Sequence, residues 1–142
     1  VLGAVDVPET VHQAKFSMGT VLGLIAARGR AGVSEFEASL GDADVSSFRP
    51  KVTMALDAEV DAAYPARWIG KVTVHTHDGR SLQGRVDEPK GDPGNTLDRT
   101  EIEDKAIRLA EFSGAATRVE MQALIAACWS LAATPRVGLL LP

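Results

Sequence analysis

Three side chains near the start of the chain, His12, Lys15 and Ser17, are the first to offer chemistry as a group. A base, a cation and a hydroxyl within two turns of a helix N-terminus make an anion-binding corner. First-turn amides lack intrahelical partners there, and the helix dipole presents its positive end. At 100° per residue His12 and Lys15 sit about 60° apart, while Ser17 turns roughly 140° from His12. Each has a plainer alternative: Lys15 solvated, His12 a first-turn surface residue, Ser17 a core hydroxyl satisfied locally. Arg67 is the fourth candidate, flanked by Tyr64 and Trp68. Its guanidinium fork suits a carboxylate, although the stronger reading is that it covers a packed Trp68 behind a Pro65 turn.

Metal and cofactor chemistry are not expected. His75 and His77 alternate on one predicted strand and so share a face, but no third ligand stands at useful spacing. One cysteine, Cys128, cannot hold an iron-sulfur cluster, and in the apolar run Ala123 to Leu131 it reads as a small core residue. Gly29 to Gly32 follows no strand and lacks the phosphate-binding lysine pattern, so it is not a nucleotide loop.

The elements that must position these groups fall into three blocks. Thr10 and Gln13 have the form of a capping box, which predicts a helix from Thr10 to about Arg28. Gly29 would end it in a left-handed conformation, and Val21, Leu22, Leu24, Ile25 and Ala26 wrap its second half, so the helix is read as buried on nearly all sides. Ser34 to Glu37 repeats the box signal, Gly41 closes a short helix, and Asp42 or Asp44 can cap one further turn before Pro50. From Lys51 the period becomes two, with Val52, Met54 and Leu56 alternating with polar residues up to Asp57, which predicts a strand. Ile69 to Thr76 and Ser81 to Val86 are two more strands, joined through Asp78-Gly79, a hairpin signal. An antiparallel sheet of at least three strands follows.

Asp87 to Leu97 is rich in turn formers and reads as a surface loop whose Lys90, Asp92 and Asn95 suit a gate or a mere connection. Asp98 to Glu101 and Thr117 to Glu120 are two further capping boxes. They open helices that end near Gly114 and before Pro135. Helices, then sheet, then helices is an α+β order. The last two helices and the tail Val137 to Leu141 carry more apolar face than the sheet can cover, which predicts a partner surface from another chain or from sequence outside this one.

Composition narrows the class. The 142 residues are 45% hydrophobic and 24% charged, ordinary globular usage. Fifteen basic against nineteen acidic residues, with no block of either sign, exclude a general nucleic-acid binder. No apolar run reaches the roughly 20 residues of a membrane span, no secretory signal is read, and a lone cysteine suits a reducing cytoplasm.

Four stretches together resemble the MmgE/PrpD family: Ala14-Lys15-Phe16-Ser17, Arg28-Gly29-Arg30-Ala31-Gly32, Tyr64-Pro65-Ala66-Arg67-Trp68 and Pro89-Lys90-Gly91-Asp92-Pro93. Their order and spacing cover Pro8 to about Leu131. Met18-Gly19-Thr20 stands where many relatives read Leu-Pro-Tyr, next to the candidate site, and Ala106 stands where an aromatic is common. The resemblance implies metal-independent, cofactor-free chemistry on small polycarboxylic acids, as in 2-methylcitrate dehydratase, cis-aconitate decarboxylase and iminodisuccinate epimerase. Those reactions begin with removal of a proton alpha to a carboxylate, and the carbanion needs cations or donors at the carboxylate oxygens. It also implies a larger enzyme, in which an α+β lid closes on a helical domain. Residues 1–97 are then expected to form the lid, and 98–142 to pack on a helical domain outside this chain. The chain would be the C-terminal, lid-bearing portion, inactive alone; its uncovered apolar faces lead us to expect a homo-oligomer as well. The alternative reading is a non-catalytic interaction module or homodimer, or a short chain that complements a separate helical subunit.

Overall fold

The computed structural model describes residues 5–134. The apolar tail at 137–141 lies outside the described residues. The order is α1 (Val11–Lys15), α2 (Met18–Arg28), α3 (Val33–Ala38), α4 (Ala43–Phe48), α5 (Ala58–Ala63), β1 (Gly70–His75), β2 (Ser81–Val86), α6 (Arg99–Ser113) and α7 (Arg118–Ser130), with short 3-10 turns after α3, α4 and α7. This is an α+β composition. The chain divides into two compact units, residues 1–54 with 107–142, and residues 55–106.

In the first unit, local hydrogen bonds set the helix starts. Thr10 Oγ1 accepts from the Gln13 amide at 3.2 Å, and the Gln13 side chain reaches back to the Glu9 amide at 2.7 Å. That opens α1, but the long buried helix expected from Thr10 to Arg28 is two helices. Ser17 leaves helical conformation and becomes the N-cap of α2, its Oγ accepting from the Thr20 amide at 3.3 Å. A serine competes for backbone amides in this way, and the cap won over continuation of the helix. Nor is α2 covered on all sides, since its buried residues are Thr20, Gly23 and Leu24, one face at i, i+3 and i+4, while Ile25 is half exposed. Gly29 ends α2 at φ 77°, as its position suggested.

Close approach decides which face packs. A Cβ on Gly19 would lie 3.2 Å from the Arg49 backbone, and one on Gly23 would lie 3.3 Å from Val45 Cγ1. The two glycines thus let α4 and the turn after it lie directly on α2. Around this contact Ala14, Leu24, Phe36 and Val45 form the core, flanked by Val11, Val21 and Ala31. Asp42 caps α4 by accepting from the amides of Asp44 and Val45, and Arg28 pairs with it at 2.7 Å. Gly32, not Ser34, starts α3: Glu35 Oε2 accepts from the Gly32 amide at 3.0 Å while Arg30 holds Oε1 at 2.7 Å.

The second unit contains the hairpin, with β1 and β2 antiparallel and His75 opposite Ser81 across the Asp78-Gly79 turn. Gly79 takes φ 84°, the left-handed conformation that this turn requires. The sheet has two strands. The third, expected over Lys51 to Asp57, is not formed: Arg49 to Lys51 is a 3-10 turn, and Met54 and Leu56 are 65% and 88% exposed. Alternation makes an extended chain, but a strand also needs a neighbouring edge to pair with. His75 ends β1 and His77 lies in the turn, so the two histidines do not share a strand face.

Both late capping boxes are present. Asp98 Oδ1 accepts from the Glu101 amide while Glu101 accepts from the Asp98 amide, each at 2.8 Å. Thr117 and Glu120 repeat the arrangement at α7. Gly114 ends α6 at φ 68°. α7 buries none of its residues, and Cys128, expected in a core, is exposed. The apolar run that holds it is at most partly buried, with Leu124, Ile125 and Ala127 half covered.

Candidate functional site

The residues singled out near the chain start are sorted by the helix break. His12 and Lys15 are exposed on α1, a helix of five residues, and the His12 ring packs at 5.0 Å from that of Phe16. Ser17 is fully buried. Its Oγ also takes a hydrogen bond from Thr20 Oγ1 at 3.1 Å, so its hydroxyl serves first to hold the head of α2. Arg67 belongs to the second unit, where it is exposed near Tyr64 and Trp68, whose rings meet edge to face at 5.3 Å. The Tyr64–Pro65 peptide is cis.

Beside Ser17 the first unit has a cleft of about 590 Å³. Phe16, Met18, Val52 and Met54 give it apolar walls, and Ser17, Gly19, Ser46, Arg49 and Asp6 bring polar groups to it. The α2 amides of the first turn, at Met18 and Gly19, have no intrahelical acceptor, so the cleft lies at the positive end of an eleven-residue helix.

Arg49 is the functional candidate that the sequence did not reveal. Its Nη2 donates to Ser46 Oγ at 3.3 Å, while its Nε is buried with no acceptor among the described residues. Phe48-Arg49-Pro50 reads in sequence as the end of a helical turn. A lone arginine without a motif carries no signal, and only the packing of that turn on Gly19 places it in the cleft.

Charge in the second unit is arranged differently. Lys71 and Arg85 stand directly opposite across the hairpin, a repulsive pair that the α5 carboxylates neutralise. Glu59 takes two hydrogen bonds from Arg85, at 2.7 and 3.0 Å, and pairs with Lys71 at 2.6 Å. Asp57 caps α5 and accepts from Lys71 at 2.8 and 2.9 Å. Arg85 first, then Lys71, hold the Glu59 carboxyl down at about 2, and Lys71 holds Asp57 below its ordinary value. These ions clasp α5 to the polar face of the hairpin. The apolar face, Val72, Val74, Leu82 and Val86, stays half exposed.

Among the described residues no three or more His, Cys, Asp or Glu side chains gather into a metal-holding group. No helix among them is long and apolar enough to cross a membrane.

The family model described as MmgE/PrpD C-terminal domain matches residues 1–131. The chain belongs to the MmgE/PrpD family. That span takes in the α2 head and its cleft, the hairpin and the whole of both late helices, so every candidate residue lies within the MmgE/PrpD match. Neither a curated relative nor a solved structure matches the chain.

Proposed function

We propose that this chain is the C-terminal, lid-bearing portion of a metal-independent lyase or epimerase of small polycarboxylic acids, which acts in the cytoplasm by removing a proton alpha to a carboxylate. Residues 1–97 serve as lid, and 98–142 pack on a helical domain supplied from outside the chain. Alone, the chain binds acid weakly and does not turn it over.

The supporting observation is α7, a thirteen-residue helix without one buried residue, in which Val119 is 75% and Trp129 45% exposed. An apolar face of that length is stable in water only when another surface covers it. His12 and Lys15 on α1, and separately Arg67, are the candidate partners for substrate carboxylates, while Ser17 fixes the head of α2. The same exposed face also suits a homo-oligomer. That is the second reading: an interaction module without catalysis.

The test is an assay of the full chain against 2-methylcitrate, cis-aconitate and iminodisuccinate, alone and with a helical domain of the same family added in trans. Turnover should appear only in the mixture. Robust turnover by the chain alone would overturn the incomplete-enzyme reading. A stable dimer by light scattering that neither binds these acids nor gains activity would favour the module.

A further inference from the structure

We propose that Arg49 is a carboxylate anchor, holding one acid group of a ligand inside the cleft beside Ser17. The inference rests on the polycarboxylate reading above and adds to it a residue and a place. The guanidinium of Arg49, more than the helix end beside it, marks the site. A charged N–H that is removed from water without an acceptor is strongly disfavoured, so native structures almost always supply one. Nε of Arg49 is in that position, and the guanidinium's one hydrogen bond among the described residues, Nη2 to Ser46 Oγ at 3.3 Å, is to a neutral hydroxyl.

Other arginines of the first unit show the contrast. Arg28 has Asp42 at 2.7 Å, Arg30 has Glu35 at 2.7 Å, and Arg118 has Glu111 at 2.9 Å. Arg49 alone of these four has no carboxylate partner and lines the cleft. Asp6 also lines it, but makes no hydrogen bond or ion pair with Arg49. A planar guanidinium offers paired N–H donors that match the two oxygens of a carboxylate. The unpaired amides of Met18 and Gly19 add donors on the same cleft. Phe16, Met18 and Met54 supply apolar wall for a short carbon skeleton, and together these features select a small organic acid over inorganic phosphate.

The experiment is an NMR titration of the full chain with propane-1,2,3-tricarboxylate, following the Arg49 Nε–H and the Gly19 amide, with the uncharged triamide as control. Saturable shifts at both signals with the acid, and none with the triamide, are expected. Arg49→Gln should weaken binding by about tenfold or more, with Arg49→Lys in between because it keeps the charge and loses the fork. Asp6→Asn should bind as well as the parent or better. Unchanged amide positions in the core around Leu24 verify that each variant is folded. Shifts confined to His12, Lys15 or Arg67, with Arg49→Gln binding as tightly as the parent, would overturn the Arg49 assignment and leave the polycarboxylate reading standing. Absence of any saturable shift would overturn both.

Discussion

The two units of this chain are held together by different physics. Unit one, residues 1–54 with 107–142, has an apolar core in which Leu24 and Val45 are essentially sealed from water and two glycines permit close helix contact. Unit two, residues 55–106, has one buried hydrophobic residue, Ile69, and depends on a hydrogen-bonded hairpin and the ion network of Asp57, Glu59, Lys71, Arg85 and Asp87. Burial is non-directional and is not screened by salt, while exposed ion pairs contribute little and are screened. Segments with few buried apolar contacts open at low free-energy cost. The comparison therefore assigns rigidity to the α2 head and its cleft, and mobility to the hairpin unit.

The largest test of this contrast is Leu24→Ala. Leu24 is 1% exposed at the centre of the first core, and truncating such a residue costs about 2–5 kcal/mol. Urea unfolding followed at Trp129, in unit one, should shift by that amount, while the hairpin amide protection should change much less. Equal loss of both signals would show that the two units fold as one and would break the comparison. Next comes Ser17→Ala. Removing the cap leaves the Thr20 amide and hydroxyl buried without Ser17 Oγ, at an expected cost of about 1–2 kcal/mol in the same unfolding experiment. A stabilised variant in which α1 and α2 fuse would instead show that the break is imposed by packing and not by the cap.

How far the residues foretold this arrangement depends on whether a feature is local. The caps at Thr10, Asp42, Asp98 and Thr117, the Gly29 and Gly114 ends, and the Asp78-Gly79 hairpin each involve partners within a few positions, and all were legible. The failures lie where two outcomes compete or a distant partner decides. Ser17 could continue a helix or start one, and Gly32 displaced Ser34 because Glu35 reaches the Gly32 amide. Val52, Met54 and Leu56 alternate as a strand does, yet no edge pairs with them. Cys128 is exposed although its apolar run is partly buried, so composition alone misplaced it. At the candidate site, His12, Lys15 and Arg67 were named from residue type, but Arg49 needed the fold to bring it beside Ser17.

Acid should separate the units more gently than mutation does. Glu59 has its carboxyl lowered from an ordinary 4.5 to about 2, by Arg85 foremost and then Lys71, and Asp57 and Asp87 are lowered as well. A carboxyl whose value falls on folding stabilises the folded state above its unfolded value, and loses that contribution as pH falls through the folded one. The α5 clasp is therefore complete above about pH 4.5 and dissolves between there and about pH 2. Hydrogen exchange of the hairpin amides should accelerate across that window, after correction for intrinsic rates. Unit one also has lowered carboxyls, at Asp42 through Arg28 and at Glu35, where hydrogen bonds from Arg30 and Ser34 outweigh burial. Its core around Leu24 contains no ionisable group, so its protection should persist further into acid.

The smallest effect is the most diagnostic of how the second unit coheres. Glu59→Gln removes the charge that lies between Lys71 and Arg85 while keeping the shape, so the cross-strand repulsion of the two cations is left to Asp57 and Asp87. In low salt the variant's hairpin amides should exchange modestly faster than the parent's. At about 1 M salt, where screening acts within about 3 Å, the difference should vanish because the parent has lost the same attraction. A difference that survives high salt would mean that Glu59 acts through its hydrogen-bond geometry, since Arg85 donates to both of its oxygens. The unit would then be a rigid clasp and not a charge-held arm, and the assignment of mobility to the hairpin would fail with it.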